Sequence, residues 1–414
     1  MCECTHFLRI SVMDCMFAIS NITPIVFCFQ MKNRNYLWIV IAAIITAGFV
    51  GGSNTLVPEA LAQNATTGNE GSATPLKTLR LGYYPNINHA QAVIGVGRGD
   101  FQKVLGPDVK LETVVFNAGP SAIEALLAKR IDATYVGSNP AINGYVVSDG
   151  EGLRIIAGSA SAGAVFVVRN DSGIQSPKDI GGKKFASPQL GNTQDIALRK
   201  YIQDNGFKTT ENGGNVTVVP IANPDILTLF LKKEIDGAWV PEPWGARLIK
   251  EGNGRIFLDE RDLWPNGKFV TANIAVSTDY LKNNPDVIKK LLTAHVNETN
   301  WINTHKEEAI KVFNTELKKL TGKTIPGNEL RDGLTRLEIT YDPLKLSLFR
   351  SANNAYDVGL LAKGQPRPVL TGIFDITQLN EILSEKGLPS IDGGAAASTT
   401  ANTSAIEESF GAIE

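Results

Sequence analysis

An α/β chain of two similar lobes with a ligand cleft between them is what this sequence predicts, and two observations carry the prediction. The first is the stretch Thr113 to Val136, TVVFNAGPSAIEALLAKRIDATYV, which reads as strand, helix and strand. The second is its return 104 residues later as Thr217 to Val240, TVVPIANPDILTLFLKKEIDGAWV, with ten positions identical and no gap. The shared residues include the opening Thr-Val-Val, Pro120 and Pro224, Lys129 and Lys233, and Ile131-Asp132 with Ile235-Asp236. Self-similarity of this kind points to a duplicated architecture. Two like lobes leave a cleft, which is where small ligands bind.

Each element of the first unit has a local cause. Thr113 to Phe116 is apolar and β-branched, which suits a buried strand. Asn117-Ala118-Gly119 turns the chain, and Pro120 stands where a helix tolerates proline. Ile123, Leu126 and Leu127 keep the three-to-four spacing of one buried helix face. Lys129-Arg130 suits the negative end of that helix. Ile131 to Val136 forms the second strand and runs into an expected turn, Gly137-Ser138-Asn139-Pro140.

Upstream, a strand over Thr78 to Tyr83 leads through the turn Tyr84 to His89 into a helix closed by Gly97 or Gly99. The run Gly95-Val96-Gly97-Arg98-Gly99 follows a helix instead of opening one, so it reads as helix termination and not as a dinucleotide loop. Downstream, the strand Leu153 to Gly158, the bend Ser159 to Gly163 and the strand Ala164 to Val168 mark the crossing into the second lobe. That lobe has a strand at Lys184 to Ala186, a loop Ser187 to Thr193, a helix ending near Asn205-Gly206 and then the repeated unit. Phe269 to Ser277 reads as the returning strand, and helices follow from Asn284-Pro285. His295 lies on an apolar stripe with Leu291 and Ile302 and reads as core, whereas His305 reads as surface.

Composition sets the outer bounds. The 414 residues suffice for two domains, and 43% hydrophobic with 20% charged residues excludes a disordered or fibrous chain. A net charge of −2 gives no reason to expect nucleic acid or a polybasic membrane surface as partner. The four cysteines all lie within the first 28 residues, so the body has no disulfide and no thiolate metal site. Met31 opens a basic start and an apolar core, Leu37 to Val50, followed by Ala60-Leu61-Ala62, the layout of an export signal. Residues 1–30 then read as an upstream extension, and an uncleaved N-terminal anchor stays open as the alternative. The expected boundaries are 1–62 extension and signal, 63–76 linker, 77–164 with 273–391 the first lobe, 165–272 the second, and 392–414 a disordered tail. No G-x-S-x-G, H-E-x-x-H or P-loop occurs in the body, so the reading is a binding protein and not an enzyme.

The ordered set LRLGYYPNINHA, GPSAIEALLAKRIDATYVGSNPAI, GKKFASPQLGNTQDIALRKYI, IDGAWVPEPW and FVTANIAVSTDYLKNNPDVIKKLL resembles extracytoplasmic substrate-binding proteins of ABC importers. It is most similar to the nitrate/sulfonate/taurine/bicarbonate group and, within it, to aliphatic-sulfonate binders. The resemblance implies a type II periplasmic-binding fold with two β-strand crossovers, a monomer closing like a clam shell on a small anionic or zwitterionic solute. It further implies docking on a permease and its ATPase, an exported location, and neither cofactor nor metal. Relatives that make the thiamine pyrimidine share the outline but rely on a cysteine cluster absent from this body. A binder of such a heterocycle remains the alternative, and an enzyme on the same fold the lesser one.

The candidate ligand residues sit where strands end and helices begin, because free N–H groups and the helix dipole there favour an anion. They are Tyr84, Asn86, Asn88 and His89 from the first turn, Gly119 and Ser121, Ser138 and Asn139, and Ser161 in the bend. The second lobe adds Gln189, Asn192 and Thr193, together with Trp239, Glu242 and Trp244. The tryptophans would form an apolar wall. Glu242 decides the ligand's charge type: a zwitterion such as taurine if it faces the cleft, a simple anion if it does not.

Overall fold

The protein is described here by a computed structural model covering residues 76–361 and 369–391. The expected extension, signal segment, tail and all but the last residue of the linker lie outside the described residues. Eleven strands occur among the described residues: β1 (Lys77–Tyr83), β2 (Val109–Val115), β3 (Ala133–Val136), β4 (Leu153–Ala162), β5 (Ala164–Arg169), β6 (Lys184–Ser187), β7 (Thr217–Pro220), β8 (Gly237–Pro241), β9 (Gly254–Asp259), β10 (Val270–Ser277) and β11 (Leu337–Ile339). They form two sheets, ordered β11-β4-β10-β3-β1-β2 and β7-β6-β8-β5-β9.

The two sheets share a plan. In the first, β1 pairs in parallel with β2 and β3, and β10 runs antiparallel against β3. In the second, β6 pairs in parallel with β7 and β8, and β5 runs antiparallel against β8. Parallel neighbours require helical crossovers, which helices Gly119–Leu127 and Asn223–Leu231 supply. The chain passes between sheets twice, from β4 to β5 and from β9 to β10. The first passage turns at Gly163, whose φ of 79° lies in the left-handed region that favours glycine.

Two sequence expectations need correction here. The stretch Thr113 to Phe116 belongs to a longer strand, β2, at the margin of its sheet, where Val114 and Val115 are 39% and 41% exposed. Their β-branching serves strand propensity and not the core. The stretch Gly137 to Pro140 is no turn but the start of helix Ser138–Val147, with Pro140 in the first turn, where it forfeits no helical hydrogen bond. Short elements without a strong period escaped the sequence reading, among them helix Asp100–Leu105, β9 and β11.

His295 is buried, as its place on the apolar stripe of helix Pro285–Thr304 predicts, and His305 is exposed. Among the described residues, no helix is long and apolar enough to cross a membrane.

Candidate functional site

Four helices begin at one place. Gly119–Leu127 and Ser138–Val147 rise from the first sheet, Thr193–Asp204 and Asn223–Leu231 from the second. The residues before them, Ala118, Gly137, Asn192 and Ala222, make no side-chain cap. Their first N–H groups are therefore open to an outside acceptor. Ala118, Gly137, Asn192 and Asn223 line a cavity of ≈ 20 Å³, with Tyr84, Asn86, Asn88, His89 and Thr271 on the side of the first sheet. Asn117, Thr193, Gln194 and Pro241 complete it.

The polar atoms around this cavity are unsatisfied to an unusual degree. Tyr84 Oη, Asn88 Oδ1, His89 Nδ1, Thr193 Oγ1 and Asn223 Oδ1 are all buried without a hydrogen-bond partner. Left unpaired, each such atom costs about 1–3 kcal/mol, so the cavity presents five polar atoms to whatever polar group occupies it, water or solute. Asn88 Nδ2 donates to the Thr271 carbonyl at 3.4 Å, which leaves its Oδ1 as an acceptor. Burial pushes the His89 imidazole down to about 3, so the ring is neutral, and it raises the Tyr84 phenol far above its ordinary range. No Lys, Arg, Asp or Glu lines the cavity.

Glycines let the two halves meet. A Cβ on Gly137 would stand 2.4 Å from Thr193 Oγ1. One on Gly119 would stand 2.3 Å from Pro140 Cγ and 3.1 Å from Asn192 Oδ1.

Of the sequence-predicted residues, Tyr84, Asn86, Asn88, His89, Asn192 and Thr193 come together at the cavity, and Gly119, outside its lining, lies close to Asn192. The others stand elsewhere. Ser121 Oγ donates to Gln189 Oε1 at 3.0 Å, tying the two halves together beside the cavity. Ser138 reaches only the neighbouring Asn139 Oδ1 at 3.4 Å, and Asn139 Nδ2 donates to the Ser351 carbonyl. Ser161 is buried in β4.

Trp239 is fully buried in the second lobe's core, stacked on Phe166, and its Nε1 donates to Glu260 at 2.7 Å. It is no wall of the cavity. Trp244 Nε1 donates to Asn86 Oδ1 at 3.0 Å, with Arg247 above its ring. Glu242 is fully buried too, accepting from Arg336 Nη1 at 2.7 Å and from the Ala246 N–H at 3.0 Å. Burial raises the Glu242 carboxyl while Arg336 pulls it back down. A buried carboxylate must find a partner, and this one finds it away from the cavity.

The sequence reading missed Asn223, Gln194 and Thr271, and used Asn117 only as a turn residue. Asn223 had a signal, since the 104-residue repeat places it opposite Gly119.

Two sheets of one plan, joined by two crossovers and converging four helix starts on one cavity, define the two-lobed type II periplasmic-binding architecture. The chain belongs to the NMT1-like family, whose model matches residues 72–315. It is similar to a protein of Bacillus subtilis (strain 168) that bears the name of an aliphatic sulfonates-binding protein, 24% identical over 275 residues, covering 64% of this chain and 77% of that one. Among solved structures, it resembles the alkanesulfonate-binding protein SsuA from Xanthomonas axonopodis pv. citri bound to MOPS, with a TM-score of 0.61, 18% identity and coverage of 73% and 99%. It likewise resembles the periplasmic nitrate-binding protein NrtA from Synechocystis PCC 6803, with a TM-score of 0.61, 16% identity and coverage of 76% and 92%.

Proposed function

We propose that this protein is an extracytoplasmic solute-binding protein that captures a small, singly charged oxyanion between its lobes and delivers it to the permease and ATPase of an ABC importer. The observation that carries this is the ring of five unpartnered polar atoms around the cavity. Free N–H groups at helix starts, the Tyr84 phenol and the Thr193 hydroxyl suit an anion's oxygens. The absence of a lining cation argues against a second negative charge, which would stay uncompensated. Family membership and the sulfonate- and nitrate-binding names of its relatives support the importer role.

Size and hydrogen-bond pattern narrow the solute. A cavity of ≈ 20 Å³ suits a head group without a carbon chain. Glu242 is committed to Arg336, so an ammonium group would meet no carboxylate, and taurine is disfavoured. With Trp239 in the core and Trp244 held by Asn86, neither tryptophan is placed to stack on a heterocycle, which would have only Tyr84 and His89 beside it. The acceptor Asn88 Oδ1 favours a solute bearing its own proton, which places bicarbonate ahead of nitrate.

A thermal-shift series with bicarbonate, nitrate, methanesulfonate and taurine tests this. A true solute at a hundredfold excess over its Kd stabilises by about 2.7 kcal/mol. The order should be bicarbonate, nitrate, methanesulfonate, taurine, and Thr193→Val should weaken the first two by about tenfold or more, the worth of one charge-assisted hydrogen bond. A taurine shift exceeding the others would overturn the assignment.

A further inference from the structure

We propose that the protein carries a second binding site, for a small organic oxyanion with an aromatic body, and that its occupant favours the closed arrangement of the lobes. The site is a cavity of ≈ 340 Å³ where helix Thr193–Asp204, the second crossover at 260–264 and helix Lys345–Asp357 meet.

Arg350 is its centre. The guanidinium carbon lies 4.9 Å from the centroid of the Trp264 ring, whose plane is stacked on Phe269 at 5.2 Å and 11°. An arginine lying over an indole keeps its in-plane N–H donors free for a bidentate oxyanion. Among the described residues, Arg350 makes no ion pair and no hydrogen bond that would occupy those donors. The other charges nearby are spoken for. Lys200 is ion-paired with Asp204 on its own helix. Glu260 accepts the indole N–H groups of Trp239 and Trp264, at 2.7 and 3.3 Å. Burial also raises its carboxyl to about 7, so it does not set a full negative charge against an anion. Beside Arg350 stand the half-buried Tyr201 and Asn354, polar groups with no side-chain hydrogen bond to another described residue. Trp264, Tyr201 and the exposed Leu263 offer an apolar flank for a flat ring.

Position gives this site its consequence. The helix that brings Lys200 and Tyr201 begins at Thr193 in the central cavity, about 12 Å away at 1.5 Å per residue. That helix belongs with the second sheet, whereas helix Lys345–Asp357 packs on the first sheet through Leu348 and Ala352. An occupant touching both holds the lobes together, and by reciprocity a solute in the central cavity tightens the occupant. This coupling rests on the two-lobed solute-binding reading; the binding at Arg350 does not.

The test is calorimetric titration of the full chain with phenyl phosphate, benzoate and inorganic phosphate. Phenyl phosphate and benzoate should bind with a Kd of about 1 mM or tighter, with inorganic phosphate weaker for want of a ring. Arg350→Ala, a change at an exposed residue, should weaken phenyl phosphate by about tenfold or more, since it removes a charge-assisted pair. Thr193→Val should leave phenyl phosphate binding intact, which separates this site from the central one. Small-angle scattering should show a smaller radius of gyration with phenyl phosphate, with no other solute present. Absence of heat at about 10 mM, or equal binding by Arg350→Ala, would overturn the site, and an unchanged radius with phenyl phosphate bound would overturn its coupling to closure.

Discussion

The two repeated units of this chain have the same scaffold and opposite endings. In both, the lysine after the helix adopts a left-handed conformation, with φ of 57° at Lys129 and 59° at Lys233. In both, the aspartate three residues on accepts from a backbone N–H of the preceding parallel strand, Arg80 at 2.7 Å for Asp132 and Lys184 at 2.9 Å for Asp236. The match holds to the level of single hydrogen bonds. Past the last strand it stops. Gly137 and Pro241 both line the cavity, but the residues after them differ: Ser138 reaches only its neighbour Asn139, whereas Glu242 is a buried carboxylate paired with Arg336. The strand-helix-strand body is a mount that brings both units to the cavity, and the residue after it decides whether an internal ion pair is added behind.

The largest test of that contrast is Arg336→Met. It leaves Glu242 fully buried without a counter-charge, which costs about 3–5 kcal/mol. Ser138→Ala, at the equivalent position of the first unit, removes only a 3.4 Å contact and should cost under about 1 kcal/mol. Replacing Glu242 by Leu together with Arg336→Met should recover much of the loss, because an apolar pair has no charge to strand. Urea denaturation measures all three. A mild Arg336→Met would show that Glu242 escapes the penalty, by taking up a proton or by admitting water.

A second contrast lies two residues before Gly137 and Pro241. Tyr135 and Trp239 occupy equivalent places, and each hands a polar tip to a buried titratable group. Tyr135 Oη donates to His295 Nδ1 at 2.8 Å, while His295 Nε2–H donates to the Gly158 carbonyl. Trp239 Nε1 donates to Glu260. Burial lowers His295 from 6.5 to about 4 and raises Glu260 from 4.5 to about 7. Each shift spans about 2.5 pH units, on the order of 3 kcal/mol. The signs oppose. The neutral His295 contributes stability above pH 6.5 that is lost as pH falls towards 4, since the unfolded state binds the extra proton. The protonated Glu260 contributes stability below pH 4.5 that is lost as pH rises towards 7. Stability should therefore fall on both sides of mildly acidic pH. His295→Gln should flatten only part of the acid side, because His89, lowered to about 3 by burial, acts in the same direction. Glu260→Gln should flatten part of the other, because Glu298, also raised to about 7 by burial, acts in the same direction. Melting temperature against pH for the three proteins decides it; unchanged slopes in the variants would refute these assignments.

How much of this was legible in the sequence follows from how local each feature is. The repeated units were legible because β-branched strands and a three-to-four helix period are written within a dozen residues. Asn88, His89, Asn192 and Thr193 drew attention as polar residues at helix starts, where such residues commonly serve as caps; neither His89 nor Asn192 makes a side-chain cap, and all four reach the cavity, whereas Ser121, Ser138 and Asn139, with the same signal, do not. Glu242 was not, since its partner Arg336 lies 94 residues further along the chain. Trp239 was misplaced for a related reason: a tryptophan beside two prolines reads as a loop, while its strand faces the core through contacts with Phe166 and Glu260. Asn223 and Thr271 are polar residues in unremarkable surroundings, and only the repeat, for Asn223, could have drawn attention to one of them.

Gly137→Val should act on closure and solute affinity more than on the stability of the fold. The glycine has φ of −66°, which any residue adopts, so the backbone carries no objection to a side chain. The objection is spatial: a Cβ there would sit 2.4 Å from Thr193 Oγ1, an atom of the opposite lobe. If the lobes open as the proposed function requires, Thr193 moves away from position 137 and the added carbons meet water. The substitution should therefore penalise closure and leave each lobe's fold alone. Overpacking of this kind costs about 1–3 kcal/mol, which lowers solute affinity by about 5- to 150-fold. Melting temperature without solute should change little. Equal affinity in Gly137→Val and the parent would mean that Thr193 can rotate aside at no cost, and that the glycine is there for the strand-to-helix turn and not for the meeting of the lobes.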